Sequence, residues 1–348
     1  MTSTPPRDST PDSGGPLLDV QSLQIAFPAG RGVARAVDGV SFTVSRGESV
    51  CLVGESGCGK SLTALSLLRL VPPPGRIEPG SRIRFDGADI LTLDDERLRD
   101  IRGQHMAMIF QEPMTALNPV LTVGDQIAEV LRVHTTLARR DIWSRTVDML
   151  AQVGIADAPA RASQYPHELS GGMRQRVMIA MALIMSPKLV IADEPTTALD
   201  VTIQAQILEL LRDLRARTNM ALLLITHDLG VVAEMASRVI VMYAGRIVEE
   251  ANVAELFAAP AHPYTEGLLA AIPRLGREAE RLQTIAGSVP PPTALPSGCA
   301  FRDRCPYAFD RCASEEPALV EIGAGHRARC HLIAEPARRA DRREVVRT

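Results

Sequence analysis

Aromatic residues are scarce in this chain of 348 residues, where Phe, Tyr and Trp together make up 3%. So low a content argues against a surface that stacks the bases of a nucleic acid. An excess of positive charge is also missing, since the formal net charge at pH 7 is −3. Together these absences give no reason to predict a nucleic-acid partner. The hydrophobic share of 46% is ordinary for a globular protein, so we expect a full core.

Long apolar runs are missing as well. No stretch reaches the ~18 uncharged apolar residues of a membrane-spanning helix. Residues 1–16 are rich in Pro, Ser, Thr and Gly and hold no apolar segment, which predicts a disordered tail rather than a signal peptide. We therefore expect a cytoplasmic protein whose contact with a membrane is peripheral, through other proteins.

Short apolar runs alternate with helical patterns along most of the chain. Residues 17–25 and 36–44 alternate apolar and polar side chains, as strands of a half-exposed antiparallel sheet do. Further strands are predicted at residues 48–53, 82–85, 189–192, 221–226 and 239–242, and helices at 61–70, within 122–153, at 173–185 and at 203–215. The alternation predicts an α/β, doubly wound core.

A complete phosphate-binding loop follows the predicted strand at 48–53. It consists of Gly54, Glu55, Ser56, Gly57, Cys58, Gly59, Lys60 and Ser61. Glycines allow backbone amides to curl around phosphates without obstruction by a Cβ atom. In this motif the Lys60 ammonium is expected to reach the outer phosphates and the Ser61 hydroxyl a Mg²⁺ ion. The thiol of Cys58 lies beside a helix N-terminus, so we expect a lowered pKa and sensitivity to alkylation.

Two acidic residues and a histidine follow later strands. Asp193 and Glu194 end the apolar run at 189–192, and His227 comes directly after the run at 221–226. Asp193 is predicted to hold Mg²⁺ and Glu194 to polarise an attacking water. His227 is expected to contact the γ-phosphate and to position that water. With Lys60, these residues predict hydrolysis of ATP.

The whole set of motifs resembles that of the ATP-binding subunits of ABC transporters. The motifs occur in the order of that family: the phosphate-binding loop, Gln111, the Leu-Ser-Gly-Gly run 169–172, the pair Asp193-Glu194, the Ala-Leu-Asp run 198–200, and His227. The resemblance implies an α/β P-loop NTPase (ABC ATPase) core over residues 17–265, with an antiparallel β subdomain and an α-helical subdomain at about 120–185.

Roles for individual residues follow from the resemblance. Gln111 is implied to sense Mg²⁺ and water at the junction with a membrane subunit, and Asp200 to cross a dimer interface. Ser170, Gly171 and Gly172 are implied to bind the γ-phosphate of ATP held by a second ATPase subunit. Phe27 is a candidate for the aromatic ring that stacks on adenine, unless it is a core phenylalanine.

Three segments narrow the resemblance to the ATPases of oligopeptide, dipeptide and nickel importers. They are residues 109–119, the run 169–183 with Met173, and the tail segments 262–265 and 298–306. This branch implies two transmembrane permease subunits, an extracytoplasmic substrate-binding protein, and a paralogue as the second ATPase subunit. Three different functions stay open: a soluble ABC ATPase that acts on nucleic acid or ribosomes, a non-catalytic scaffold subunit, and an importer of nickel or another small solute.

Four of the six cysteines fall in a predicted small C-terminal extension over residues 266–340. They are Cys299, Cys305, Cys312 and Cys330. A disulfide framework is disfavoured in the cytoplasm, whereas four thiolates suit a metal or iron–sulfur centre. Their spacing fits a zinc ribbon poorly, and the resemblance implies a [4Fe–4S] cluster in some family members. A set of reduced thiols packed in a small core would also account for them.

Overall fold

Strands and helices alternate along the chain in the computed structural model, which describes residues 14–30, 32–197, 199–272, 285–335 and 338. The strands are β1 (Leu18–Ala29), β2 (Gly32–Val44), β3 (Ser49–Val53), β4 (Arg76–Ile77), β5 (Arg82–Phe85), β6 (Ala88–Asp89), β7 (Met106–Ile109), β8 (Leu189–Asp193), β9 (Ala221–Thr226), β10 (Arg238–Tyr243), β11 (Arg246–Asn252), β12 (Val320–Gly323) and β13 (His326–Ala328). The α-helices are α1 (Lys60–Leu67), α2 (Asp95–Ile101), α3 (Pro113–Ala116), α4 (Val123–His134), α5 (Arg139–Gln152), α6 (Ala158–Ala162), α7 (Gly171–Leu183), α8 (Val201–Thr218), α9 (Leu229–Met235), α10 (Val253–Ala258), α11 (Pro263–Ala270) and α12 (Asp310–Ser314).

The smaller of two sheets is antiparallel. It contains the two half-exposed strands predicted from the alternating residues 17–25 and 36–44, which correspond to β1 and β2. Its order is β2-β1-β5-β6, with β4 paired to the other end of β1. Leu18 and Val20 of β1 are buried, whereas Asp19 and Gln21 are half-buried and exposed. One face of this sheet therefore packs on the core while the other meets solvent.

The larger sheet has the order β12-β13-β11-β10-β3-β9-β8-β7. Its strands from β10 to β7 run parallel to one another, and every residue of β3, β8 and β9 is buried. Parallel strands covered on both faces carry continuous apolar runs, which is why the sequence predicts these strands closely.

Two hydrophobic clusters cover opposite faces of the larger sheet. Cys51 and Val53 of β3 belong to the cluster with the helices, whereas Val50 and Leu52 belong to the cluster with the antiparallel sheet. This split follows from the two-residue period of a strand. Helices α4 to α7 pack against one another within the range predicted for a helical subdomain.

The C-terminal segment continues the larger sheet. Strand β13 pairs with both β11 and β12, and Phe301, 2% exposed, packs against Tyr243 and Tyr264. The C-terminal segment thus packs into the main hydrophobic core. The sequence instead predicts a small unit appended to that core. The domain boundaries at 16 and 265 stay predictions, and the predicted tail falls mostly on residues 1–13, outside the described residues. Among the described residues no helix has the length and hydropathy to cross a membrane.

Candidate functional site

The predicted site residues lie together at one edge of the larger sheet. Gln111 follows β7, Asp193 ends β8, His227 follows β9, and the phosphate-binding loop follows β3. These strands are parallel neighbours in the order β7-β8-β9-β3, so their carboxyl ends share an edge. Ligands of open α/β sheets bind at this edge.

The phosphate-binding loop requires its glycines for two separate reasons. Gly54, Gly57 and Gly59 have φ of 151°, 79° and 105°, in the region that favours glycine. A Cβ on Gly54 would also lie 2.3 Å from the carbonyl oxygen of Met242. The Lys60 ammonium donates to the carbonyls of Gly54 (2.7 Å) and Glu55 (2.9 Å), so the loop is wrapped around this charge.

Asp193 and Ser61 form an oxygen-rich pair beside Lys60. Burial raises the pKa of the Asp193 carboxyl above its ordinary value, although a hydrogen bond with Ser61 opposes the shift. The buried Oδ1 of Asp193 has no hydrogen-bond partner among the described protein atoms. Carboxylate and hydroxyl oxygens are donors that Mg²⁺ accepts, so the residues present fit a magnesium ion held with the phosphates of ATP.

Glu194 is the centre of a hydrogen-bonded cluster with Gln111, Thr197 and His227. Its Oε2 accepts from Gln111 Nε2 (3.0 Å) and Thr197 Oγ1 (2.8 Å), and its Oε1 lies 3.2 Å from His227 Nδ1. Partial burial disfavours the charged carboxylate, but the hydrogen bonds with Thr197 and His227 outweigh it and lower the pKa of Glu194. The Gln111 amide is thus engaged with Glu194, and its implied contact with Mg²⁺ stays a prediction.

The Ser-Gly-Gly turn opens α7 at the surface. Ser170 is the N-cap residue, and its hydroxyl accepts from the Met173 amide at 3.3 Å. Ser170 and Gly171 are exposed, and a Cβ on Gly172 would lie 2.9 Å from Ile203 of α8. Exposed amides at a helix N-terminus can bind an anion, so the geometry is compatible with the phosphate contact that the resemblance implies.

The sequence prediction about Cys58 of the phosphate-binding loop is wrong, and the prediction about Phe27 of β1 stays untested. Cys58 is fully buried, and burial raises the pKa of its thiol although Lys60 is close. Desolvation therefore outweighs the helix N-terminus, and easy alkylation is no longer expected. Phe27 packs against Gly75, where a Cβ would lie 2.5 Å from the ring. Its proposed stacking on adenine stays a prediction.

The four C-terminal cysteines line a single small cavity. Cys299, Cys305, Cys312 and Cys330 all contribute to it, together with His262 and Phe301 among others. Its volume of about 10 Å³ is room for roughly one water molecule. Burial raises the thiol pKa of Cys305 to about 12. Among the described residues no three His, Cys, Asp or Glu side chains converge closely enough to hold a single metal ion.

The sequence motifs assigned no role in the site to three of its residues. Thr197 follows the acidic pair closely, but nothing in the sequence distinguishes it from a loop threonine. Tyr264 contacts Glu55 of the phosphate-binding loop although the two residues are 209 positions apart in the chain. Arg304 contacts the same glutamate from the C-terminal segment. Only the tertiary structure brings such distant residues together.

Comparisons with known proteins agree with this geometry. Residues 37–197 match the family model described as "ABC transporter", and residues 248–312 match "Oligopeptide/dipeptide transporter, C-terminal region". The chain is similar to the oligopeptide transport ATP-binding protein AppD of Bacillus subtilis, at 53% identity over 92% of this chain and 97% of that protein. It is also similar to the dipeptide transport ATP-binding protein DppD of Escherichia coli, at 50% identity over 93% and 98%.

A solved structure extends the agreement to the fold. The dimeric ATP-binding cassette MJ0796, in a post-hydrolysis state with ADP and Pi bound, superposes with a TM-score of 0.60 at 26% identity, over 68% of this chain and 98% of the other. The chain therefore belongs to the ATP-binding proteins of ABC transporters, which are ATPases, and within them to the group that carries the oligopeptide/dipeptide transporter C-terminal region.

Proposed function

We propose that this chain is the ATP-hydrolysing subunit of an importer for di- and oligopeptides. The observation that carries the proposal is that one chain combines the cluster around Glu194 with the matched C-terminal region at 248–312. The similar proteins AppD and DppD are named for oligopeptide and dipeptide transport. Separate permeases and an extracytoplasmic substrate-binding protein would complete the importer, with this chain peripheral on the cytoplasmic face of the membrane.

Hydrolysis in this proposal is an in-line attack by water on the γ-phosphate, which breaks its bond to the bridging oxygen and releases ADP and inorganic phosphate. The Glu194 carboxylate, kept ionised by its lowered pKa, accepts a hydrogen bond from that water. Gln111 and His227 fix the orientation of Glu194, and His227 would also contact the γ-phosphate. Lys60 supplies positive charge to the phosphates, and Mg²⁺ held by Ser61 and Asp193 would supply more.

The exposed Ser-Gly-Gly turn supports a head-to-tail dimer of ATPase subunits. Ser170, Gly171 and Gly172 would contact the γ-phosphate bound to the partner, which we propose to be a paralogue. Gly172 lies against Ile203 of α8, and Asp200 caps the same helix by accepting from the Ile203 amide at 2.9 Å. The Ser-Gly-Gly turn therefore lies beside the N-terminal end of α8, which Asp200 caps. Both are expected to contact the second ATPase subunit.

The four clustered cysteines support a further proposal, a structural [4Fe–4S] cluster on Cys299, Cys305, Cys312 and Cys330. Four thiols are the usual donor set for such a cluster, and all four line one cavity. The cavity is too small for a cluster as it stands, so binding requires the thiols to move outward. The absorption spectrum of anaerobically purified protein tests this: thiolate-to-iron absorbance supports the cluster, and its absence together with iron-free protein contradicts it.

Peptide uptake driven by ATP tests the transport proposal. The tagged chain is expected to co-purify with two polytopic membrane proteins and, reconstituted in vesicles with the substrate-binding protein, to import a labelled dipeptide. Glu194→Gln is the matched control, because it should keep ATP binding while hydrolysis falls by about 10²- to 10⁴-fold and uptake stops. Normal hydrolysis in Glu194→Gln would contradict the assignment of Glu194, whereas ATP binding without hydrolysis by the wild-type chain would favour a non-catalytic scaffold subunit.

A nickel importer and a ribosome-binding or nucleic-acid-binding ATPase would give different results in the same experiments. Uptake of Ni²⁺ or another small solute without peptide uptake would contradict peptides as the substrate but would still support an importer. Co-purification of ribosomes or nucleic acid in place of membrane proteins would overturn the importer itself.

A further inference from the structure

Two side chains from the C-terminal part of the chain hold Glu55 of the phosphate-binding loop. The Tyr264 hydroxyl, at the start of α11, accepts a hydrogen bond from the Glu55 amide at 2.8 Å. The Arg304 guanidinium lies 3.0 Å from Glu55 Oε2. Both the backbone and the carboxylate of Glu55 are therefore anchored outside the loop.

The third polar group of Glu55 is bound to the lysine of the loop. The Lys60 ammonium donates to the Glu55 carbonyl at 2.9 Å and to the Gly54 carbonyl at 2.7 Å. A displacement of Glu55 would therefore move the carbonyls that hold Lys60. Lys60 is the residue predicted to bind the phosphates. The contacts of Tyr264 and Arg304 with Glu55 therefore affect the nucleotide site through Lys60.

Arg304 is itself held firmly, so it can act as an anchor. Its side chain is 7% exposed, and its Nε donates to the carbonyl of Ala286 at 2.8 Å. The guanidinium also lies over the rings of Tyr243 (5.7 Å) and Phe301 (5.9 Å). Because these contacts already restrict the rotamers of Arg304, pairing with Glu55 costs little additional side-chain entropy.

The charge of Glu55 makes Arg304 more than a packing residue. The carboxylate belongs to a loop that must accept polyanionic phosphates, and its Oε1 is buried without a hydrogen-bond partner among the described protein atoms. A partly buried carboxylate without its cation is costly and repels nearby anions. Arg304 therefore both fixes the loop and neutralises a negative charge beside the phosphate site.

We propose that Arg304 is a positioning residue for ATP, through which the C-terminal segment holds the phosphate-binding loop in a conformation and charge state ready to bind nucleotide. The proposal needs only ATP binding, so it is independent of the transported solute and of the cluster proposed for the neighbouring cysteines. It also gives the C-terminal segment a direct contact with the ATPase site.

Binding of Mg²⁺–ATP to the full-length chain, measured by calorimetry or by a fluorescent ATP analogue, tests this role. Arg304→Gln is expected to raise the Kd for ATP by about fivefold to tenfold, since it removes one charge-assisted pair that is partly screened by solvent. The double variant Glu55→Gln with Arg304→Gln is expected to recover most of the affinity, because the unpaired carboxylate is gone. Arg304→Lys, which keeps the charge, is expected to fall between wild type and Arg304→Gln.

Arg302→Gln is the matched control. Arg302 lies two residues away on the same turn, but its hydrogen bonds go to Ser297, Asp303 and Ala313, so its Kd should equal that of wild type. An unchanged Kd in Arg304→Gln would overturn the proposal. A weakened Kd that Glu55→Gln fails to recover would also overturn it, because a merely structural Arg304 gives that result. If Arg304→Gln does not fold, Arg304→Lys alone and with Glu55→Gln decides by the same comparison.

Discussion

Glu194 combines an unusual backbone with a crowded side chain. Its φ of 45° is in the left-handed region that non-glycine residues seldom occupy, and such strain concentrates at functional sites. The amide is nevertheless satisfied, because it donates to the carbonyl of Ile225 at 2.9 Å. The strained backbone places the carboxylate between Gln111 on one side and His227 on the other.

Thr197 is expected to set the pH range in which Glu194 is ionised. Its hydroxyl stabilises the charged carboxylate, so Thr197→Val should raise the pKa of Glu194 from its lowered value towards the ordinary 4.5. The acid limb of the kcat profile for ATP hydrolysis should then move to higher pH, by about one unit or less. Thr197→Ser keeps the hydroxyl and should leave the profile in place. A profile that does not move in Thr197→Val would show that another group governs the acid limb.

At the scale of elements, the site is made by turns that leave the strand ends. The loop after β3 passes so close to its neighbours that a Cβ on Gly54 would lie 2.3 Å from the Met242 carbonyl oxygen, and a Cβ on Gly59 would lie 2.7 Å from the Ala36 carbonyl oxygen. The loop is therefore packed between β2 and β10. Rigid packing of this kind keeps the backbone amides of the loop aimed at one point.

Gly54 and Gly57 are expected to respond differently to alanine. Gly54→Ala should abolish ATP binding or destabilise the fold by several kcal/mol, because its Cβ would overlap a backbone oxygen that cannot move away. Gly57→Ala should cost only about 1 kcal/mol, since its φ is positive but nothing lies within 4 Å of the added Cβ. Thermal unfolding and ATP titration of both variants measure the difference. Equal losses would mean that backbone conformation alone, rather than close approach, governs Gly54.

At the scale of the whole molecule, a buried ion pair joins the C-terminal segment to the larger sheet. His326 Nε2 of β13 lies 2.8 Å from Glu249 of β11, and its Nδ1 lies 3.2 Å from Glu255. Glu249 also accepts from the amides of Ala261 and His262. Three segments of the chain thus meet at one carboxylate.

This pair is expected to make stability depend on pH. Its hydrogen bond with Glu249 raises the pKa of His326 above 6.5, although burial opposes the shift. The stabilisation from His326 is therefore complete below pH 6.5 and is lost as the pH rises through the raised pKa. Burial disfavours the Glu249 carboxylate, but its hydrogen bonds lower the pKa below 4.5, so its contribution is complete above pH 4.5 and lost in stronger acid. The pair is most stabilising between these values.

His326→Gln should therefore destabilise the protein by about 1–3 kcal/mol near pH 6 and by clearly less at pH 9. Denaturant unfolding at both values measures the difference, and His167→Gln, an exposed histidine on a surface turn, is the control. An equal loss at pH 6 and pH 9 would show that His326 contributes through packing rather than charge.

The sequence by itself predicted the α/β core, the residues of the phosphate-binding loop, and the acidic pair and histidine that follow buried strands. These features depend on local patterns: a continuous apolar run predicts a buried parallel strand, and a positive φ at a phosphate-binding turn requires glycine. For the same reason Glu194 and His227 could be placed after predicted strands, whereas the strand before Gln111, β7, was not predicted. Their hydrogen bonds to one another were not predictable, because strand order and side-chain direction are set by packing.

Only the tertiary structure decided the properties that depend on burial and on distant contacts. The pKa of Cys58 was predicted to fall from its place beside a helix N-terminus, yet desolvation raises it, and desolvation is a property of the packed core. Likewise, the contacts of Tyr264 and Arg304 with Glu55 join segments far apart in the chain. Local sequence determines which backbone turn can bind phosphate, whereas the folded core determines which remote side chains hold that turn and what charge it carries.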